Sequence, residues 1–165
     1  MSPALQAKLA YLSHAAFIAR CALVAALSYI VAHKIGLGFP AWAAISGLVV
    51  SQDRLQQTRD AMSDRFVGTL IGIVVAVFSG GLLARVHLTV ALQMAVAVAI
   101  CAAVARRHPR FRVCMWTCPA VFLTTTSTTS IFHTGFDRGV EVVIGGVIAG
   151  VLNLIFDRVL LRGAA

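Results

Sequence analysis

Uncharged apolar runs recur along this chain, with basic residues gathered in the gaps between them. An apolar helix of about 20 residues crosses the ~30 Å hydrocarbon core of a bilayer, and an isolated segment can satisfy its backbone there only as a helix. Six runs stand out, at residues 15–32, 35–51, 66–84, 86–105, 113–136 and 139–156. They take up most of the 165 residues and predict an all-α membrane protein, a single domain (1–165) of six transmembrane helices. The second run opens with Gly36, Gly38 and Pro40, so its helix starts at the proline. The fifth contains Pro119 and a kink is expected there.

Composition narrows the alternatives. Residues are 59% hydrophobic and 12% charged, with a mean hydropathy of +0.89. A soluble domain carries about 25% charged residues, which excludes a soluble globule, a disordered chain and a disulfide-stapled module. The net charge of +8 ordinarily points to nucleic acid. Here the basic residues alternate with apolar runs, so the expected partner is the lipid bilayer and no nucleic acid. Cys21, Cys101, Cys114 and Cys118 lie in or beside the runs, without the histidines a metal site would add, and are read as packing residues. Lys8 and the apolar residues 21–32 superficially resemble a signal peptide. Arg20 interrupts that run and an internal repeat includes it, so it is read as a retained span.

The basic residues also orient the chain. Lys8, Arg54, Arg59, Arg65, Arg106, Arg107, Arg110, Arg112, Arg158 and Arg162 fall on one side, ten in all, against Lys34, Arg85 and Arg138 on the other. The richer side is expected in the cytoplasm, with both termini.

Asp64-Arg65-Phe66-Val67-Gly68-Thr69-Leu70-Ile71-Gly72 overlays Asp137-Arg138-Gly139-Val140-Glu141-Val142-Val143-Ile144-Gly145 at an offset of 73, and Ala76 then meets Ala149. Trp42 and Trp116 fall within one residue of the same offset. Two halves, about 1–83 and 84–165, would each hold three spans and insert in opposite senses. Such inverted repeats typify transporters, with the substrate site near the midplane.

The repeat pairs Arg20 with Gln93, and Gly68 with Glu141. A cation inside a span costs about 2.5–3.5 kcal/mol on insertion scales, so Arg20 either faces a cavity and an anionic substrate or snorkels to the headgroups. Glu141 either carries a coupling proton or pairs with Arg138 three residues earlier. Thr124-Thr125-Thr126-Ser127-Thr128-Thr129-Ser130 would ring a helix with hydroxyls and line a pathway. The candidate substrate residues are therefore Arg20, Gln93, Thr124, Thr125 and Thr128, with Glu141 for the proton. Gly68-x-x-x-Gly72 and Gly146-x-x-x-Gly150 are close-packing patterns. No motif of hydrolases, metalloproteases or phosphate loops is present, so neither enzyme chemistry, a cofactor nor a metal is expected.

Pro40-Ala41-Trp42-Ala43-Ala44-Ile45-Ser46-Gly47-Leu48-Val49-Val50-Ser51-Gln52, followed by Arg65, Gly68-Thr69 and Gly72, resembles the membrane module of the fusaric acid resistance proteins. That family includes the aromatic acid exporters and is similar in layout to the plant aluminium-activated malate channels. The resemblance implies export of small organic carboxylic acids from a bacterial inner membrane, with Arg65, Gly68, Thr69 and Gly72 structural. The large exporters carry two such modules, so a homodimer is the natural inference for one. An anion channel without proton coupling, or a membrane subunit that scaffolds a partner, are the alternatives.

Overall fold

The computed structural model describes residues 3–52, 55–126 and 129–163, and every regular element in them is helical. Six α-helices follow in order: α1 (Pro3–Ile35), α2 (Ala41–Val50), α3 (Leu55–Ala84), α4 (Val90–Arg107), α5 (Cys114–Thr124) and α6 (Ile131–Gly163). One 3-10 turn, Pro109–Phe111, precedes α5. Four segments are long and apolar enough to cross a membrane: Ser13–Ile35, Gln56–Ala84, Val90–Arg107 and Ile131–Arg158.

The second and fifth expected spans are shorter than anticipated. α2 has 10 residues and α5 has 11, so each is about 15–17 Å long, half the hydrocarbon thickness. At α2 the cause is the glycine-proline opening. Gly36 ends α1 with φ of +86°, and the Leu37 N–H returns to the Ala32 carbonyl, which together make a left-handed helix stop. Pro40 then stands immediately before α2, where its missing N–H is harmless.

At α5 the cause is the hydroxyl run. The expected helix over 113–136 is instead interrupted: α5 stops at Thr124, Thr125 is extended with ψ of 122°, and α6 begins at Ile131. Thr124 and Thr125 donate their hydroxyls to the carbonyls of Ala120 and Val121, both at 2.7 Å. The Thr126 N–H donates to Thr129 Oγ1, and the His133 N–H to Ser130 Oγ, which caps α6. Hydroxyls compete with the helical ladder for backbone groups, and a run of them favours a break.

Two arginines also move from loop to helix. Arg65 lies inside α3 and Arg138 inside α6, and both are buried.

The chain divides into two compact units, one of Met1–Ala61 with Ile144–Ala165, the other Met62–Val143. In the first, α1 packs on α2. The later part of α6 closes on α2 where Gly145 meets Gly47. A Cβ at Gly145 would lie 2.6 Å from the Gly47 nitrogen and would also strike the Ala43 carbonyl. A Cβ at Gly47 would lie 2.6 Å from Val24. Gly145 makes this approach, whereas Gly150 of the expected glycine pair faces open space.

In the second unit α4 packs on α5, and α3 closes on α5 at Gly72 and on Phe111 and Val113, just before α5, at Gly68. A Cβ at Gly72 would lie 2.8 Å from Thr117 Cβ and 3.0 Å from the Cys114 carbonyl. The core holds Ala76, Ala97, Cys101, Cys114, Cys118, Val121 and Phe122. The cysteines are free thiols serving as small apolar residues.

Candidate functional site

Each unit holds a buried polar cluster, and the two differ in kind. In the first unit Ser51, after α2, is extended, so the Gln52 carbonyl needs a partner from elsewhere. Arg20 of α1 supplies it. Its Nη2 donates to the Gln52 carbonyl at 2.6 Å and its Nη1 to Asn153 Oδ1 at 2.9 Å. Asn153 of α6 donates through Nδ2 to Thr58 Oγ1 at 2.5 Å and to the Gln52 carbonyl at 3.3 Å. The Gln52 N–H donates back to Thr58 Oγ1 at 3.1 Å. Arg20, Asn153 and Thr58 are 4%, 1% and 1% exposed.

This geometry bears on the snorkelling alternative for Arg20. The guanidinium is held inside the protein by two neutral oxygens instead of reaching for headgroups. Among the described residues no carboxylate lies within ion-pair distance of it, and its Nε has no hydrogen-bond partner. The Phe17 ring sits 5.2 Å from the guanidinium carbon. A cavity of about 440 Å³ opens beside it, lined among others by His14, Phe17, Phe156 and Asp157. That volume lies within the range of small-molecule sites.

In the second unit the cluster is an ion pair. Arg138 Nη1 stands 3.4 Å from Glu141 Oε2, one helical turn apart on α6, with both side chains almost fully buried. Arg65 of α3 is buried too, its guanidinium 6.0 Å from the Trp116 ring. Glu141 therefore has the Arg138 partner that its spacing allowed.

The remaining expected site residues are engaged locally. Gln93 is buried and its Nε2 donates to the Leu88 carbonyl at 2.8 Å, closing the start of α4. Thr124 and Thr125 have given their protons to their own helix, so they offer only lone pairs to a ligand. Thr128 lies outside the described residues. Arg20 belongs to the first unit; Gln93, Thr124, Thr125 and Glu141 belong to the second.

Asn153 and Thr58, the partners of Arg20, escaped sequence reasoning. Asn153 carried a signal, being the only polar side chain besides Glu141 in the run 139–156. Thr58 carried none, because it sits in a charged stretch that reads as a solvated helix end. Chemically, a guanidinium among neutral oxygens can hold an anion. Among the described residues no three histidine, cysteine or acidic side chains gather as a metal site.

A family model described as fusaric acid resistance protein-like matches residues 21–152. The match takes in Gln52, Thr58, Arg65, Arg138 and Glu141, while Arg20 and Asn153 stand immediately outside its two ends. No curated protein and no solved structure matches the chain. With that match over most of its length and four helices of membrane-crossing length, the chain belongs to the fusaric acid resistance protein-like family and is a multi-pass membrane protein of transporter type.

Proposed function

We propose that the chain exports aromatic or other small organic carboxylates across a bacterial inner membrane, as a homodimer with both termini in the cytoplasm. The observation that carries this reading is Arg20: a buried cation with no carboxylate at ion-pair distance among the described residues, beside a cavity that Phe17, Phe156 and Asp157 help to line. A buried charge is strongly destabilising unless compensated, and a substrate carboxylate compensates it. Phe17 and Phe156 would take the apolar body of the substrate.

The inverted repeat belongs to the same proposal. Its support is that contacts recur at the 73-residue offset. Asn153 bonds Thr58, and at the matching positions a Cβ on Gly80 would lie 2.6 Å from Ile131 Cδ1. Gly145 abuts α2 as Gly72 abuts α5. Short helices followed by breaks are the usual furniture of transporter binding sites. In this reading Glu141 carries the coupled proton once Arg138 is drawn away from it.

Channel activity is the second reading, and the Arg138–Glu141 pair favours it, since a charge-compensated glutamate needs no proton. Reconstitution into liposomes separates the two. Benzoate should accumulate uphill only when a proton gradient is imposed. Gradient-insensitive flux of benzoate and malate would turn the assignment to the channel, and absence of flux for both acids would overturn transport. Orientation is tested with single cysteines: position 85 should react with an impermeant reagent added outside, and reaction at position 110 instead would reverse the topology.

A further inference from the structure

In the second unit two arginines and one glutamate are almost fully buried, Arg65, Arg138 and Glu141 at 5%, 4% and 2% exposure. Among the described residues these are the buried charges of the unit, two cations and one carboxylate, and the positive charge of Arg65 bears on Arg138. Arg138 Nη1 approaches Glu141 Oε2 at 3.4 Å, longer than the 2.7–2.9 Å of a strong charge-assisted bond.

The helix seam places a further polar group here. A Cβ at Gly135 would lie 2.8 Å from Ile73, and one at Gly139 would lie 3.7 Å from it, so the Ile73 stripe of α3 runs along α6. Thr69 and Arg65 continue that stripe at one-turn intervals. Thr69 is 1% exposed, and its hydroxyl has no hydrogen-bond partner among the described residues. The seam thus carries a buried hydroxyl that a ligand oxygen would satisfy.

The 73-residue offset adds an independent argument. It matches Arg65 with Arg138, a cation with a cation, but Gly68 with Glu141. The carboxylate is therefore an addition to a pair of corresponding arginines, and it comes from the chain itself.

We propose that Arg65, Arg138 and Thr69 form a second anion site, for a small carboxylate, and that Glu141 is its built-in competitor, occupying the arginines until a ligand carboxylate displaces it. This deepens the transport reading and rests on it only for the choice of ligand. A carboxylate competing with a carboxylate is matched in charge and shape, so the exchange leaves no bare cation in the protein interior.

The test is equilibrium binding. Trp42→Phe leaves Trp116, the residue beside Arg65, as the only indole. Benzoate is titrated into this detergent-purified protein, following Trp116 emission and the benzoate-induced rise in melting temperature. Adding Glu141→Gln removes the competing charge, and half-saturation should fall about tenfold or more by both measures. Glu141→Ala should shift it the same way, which guards against a folding defect in either variant. Arg138→Gln in the Glu141→Gln background should abolish the response. An unchanged or weakened benzoate affinity in both Glu141 variants overturns the proposal, because a merely structural ion pair gains no ligand when broken. No flux or gradient enters the measurement, so a chain that transports nothing can still pass or fail it.

Discussion

The break after α2 and the break after α5 are built on the same outline with opposite chemistry. After α2, Arg20, Asn153 and Thr58 converge on the Gln52 backbone. At the positions 73 residues away stand Gln93, Gly80 and Ile131, and there the space at Gly80 is filled by Ile131 and Phe122. One break is closed by hydrogen bonds from distant side chains. The other is closed by packing and by hydroxyls bonded to their own neighbours. Apolar packing serves closure at the second break, so the charge at the first is the feature that the proposed transport would use.

The comparison breaks most sharply at Arg20. Arg20→Gln should reduce benzoate flux to background, whereas Arg20→Lys should keep roughly a tenth, because lysine preserves charge but not the planar fork. Normal flux in Arg20→Gln would make the first break as structural as the second. Next in size are the glycines. Gly145→Ala drives a methyl into backbone, which cannot yield, and should destabilise by about 3 kcal/mol or more in a denaturation series. Gly80→Ala meets side chains alone, the flexible tip of Ile131 and the Phe122 ring, and should cost about 1 kcal/mol. Equal losses would mean that the two contacts do not differ as drawn.

Asn153→Leu should cost about 1–3 kcal/mol, leaving the Arg20 Nη1 donor and the Thr58 hydroxyl without their buried partner. Gln93→Leu, which removes a single bond to the Leu88 carbonyl, should cost about 1 kcal/mol. The smallest effect is expected at Thr124→Val. Its hydroxyl serves its own helix, so flux should change by less than about twofold. A large loss of flux there would restore the hydroxyl run as a substrate surface.

The long helices were legible because length and lack of charge are properties of a contiguous segment, and so was the start of α2, announced by Gly36 and Pro40. The end of α5 was legible only in hindsight. Hydroxyls are tolerated within helices, and nothing local says that seven in succession pass the limit. Arg65 and Arg138 were placed in loops because a charge at the edge of an apolar run reads as a terminus; burial between helices is decided by neighbours distant in sequence. The same holds for Arg20, whose partner Asn153 is 133 residues away. A single sequence exposes the unusual residue but not what it touches.

Gly47 and Gly145 meet without side chains between them, and this contact has a mechanical consequence. Side chains act as compliant spacers, because they can change rotamer and absorb a displacement of a few tenths of an ångström. Where main chain rests on main chain there is no such cushion. The two helices at that point have little room to slide past one another, so the contact acts as a weld. Asn153 lies two turns beyond Gly145 on α6 and Gln52 five residues beyond Gly47, so the weld sits one short lever arm from the arginine knot. In the proposed transport, a movement of α6 near Arg20 would be restrained at that joint.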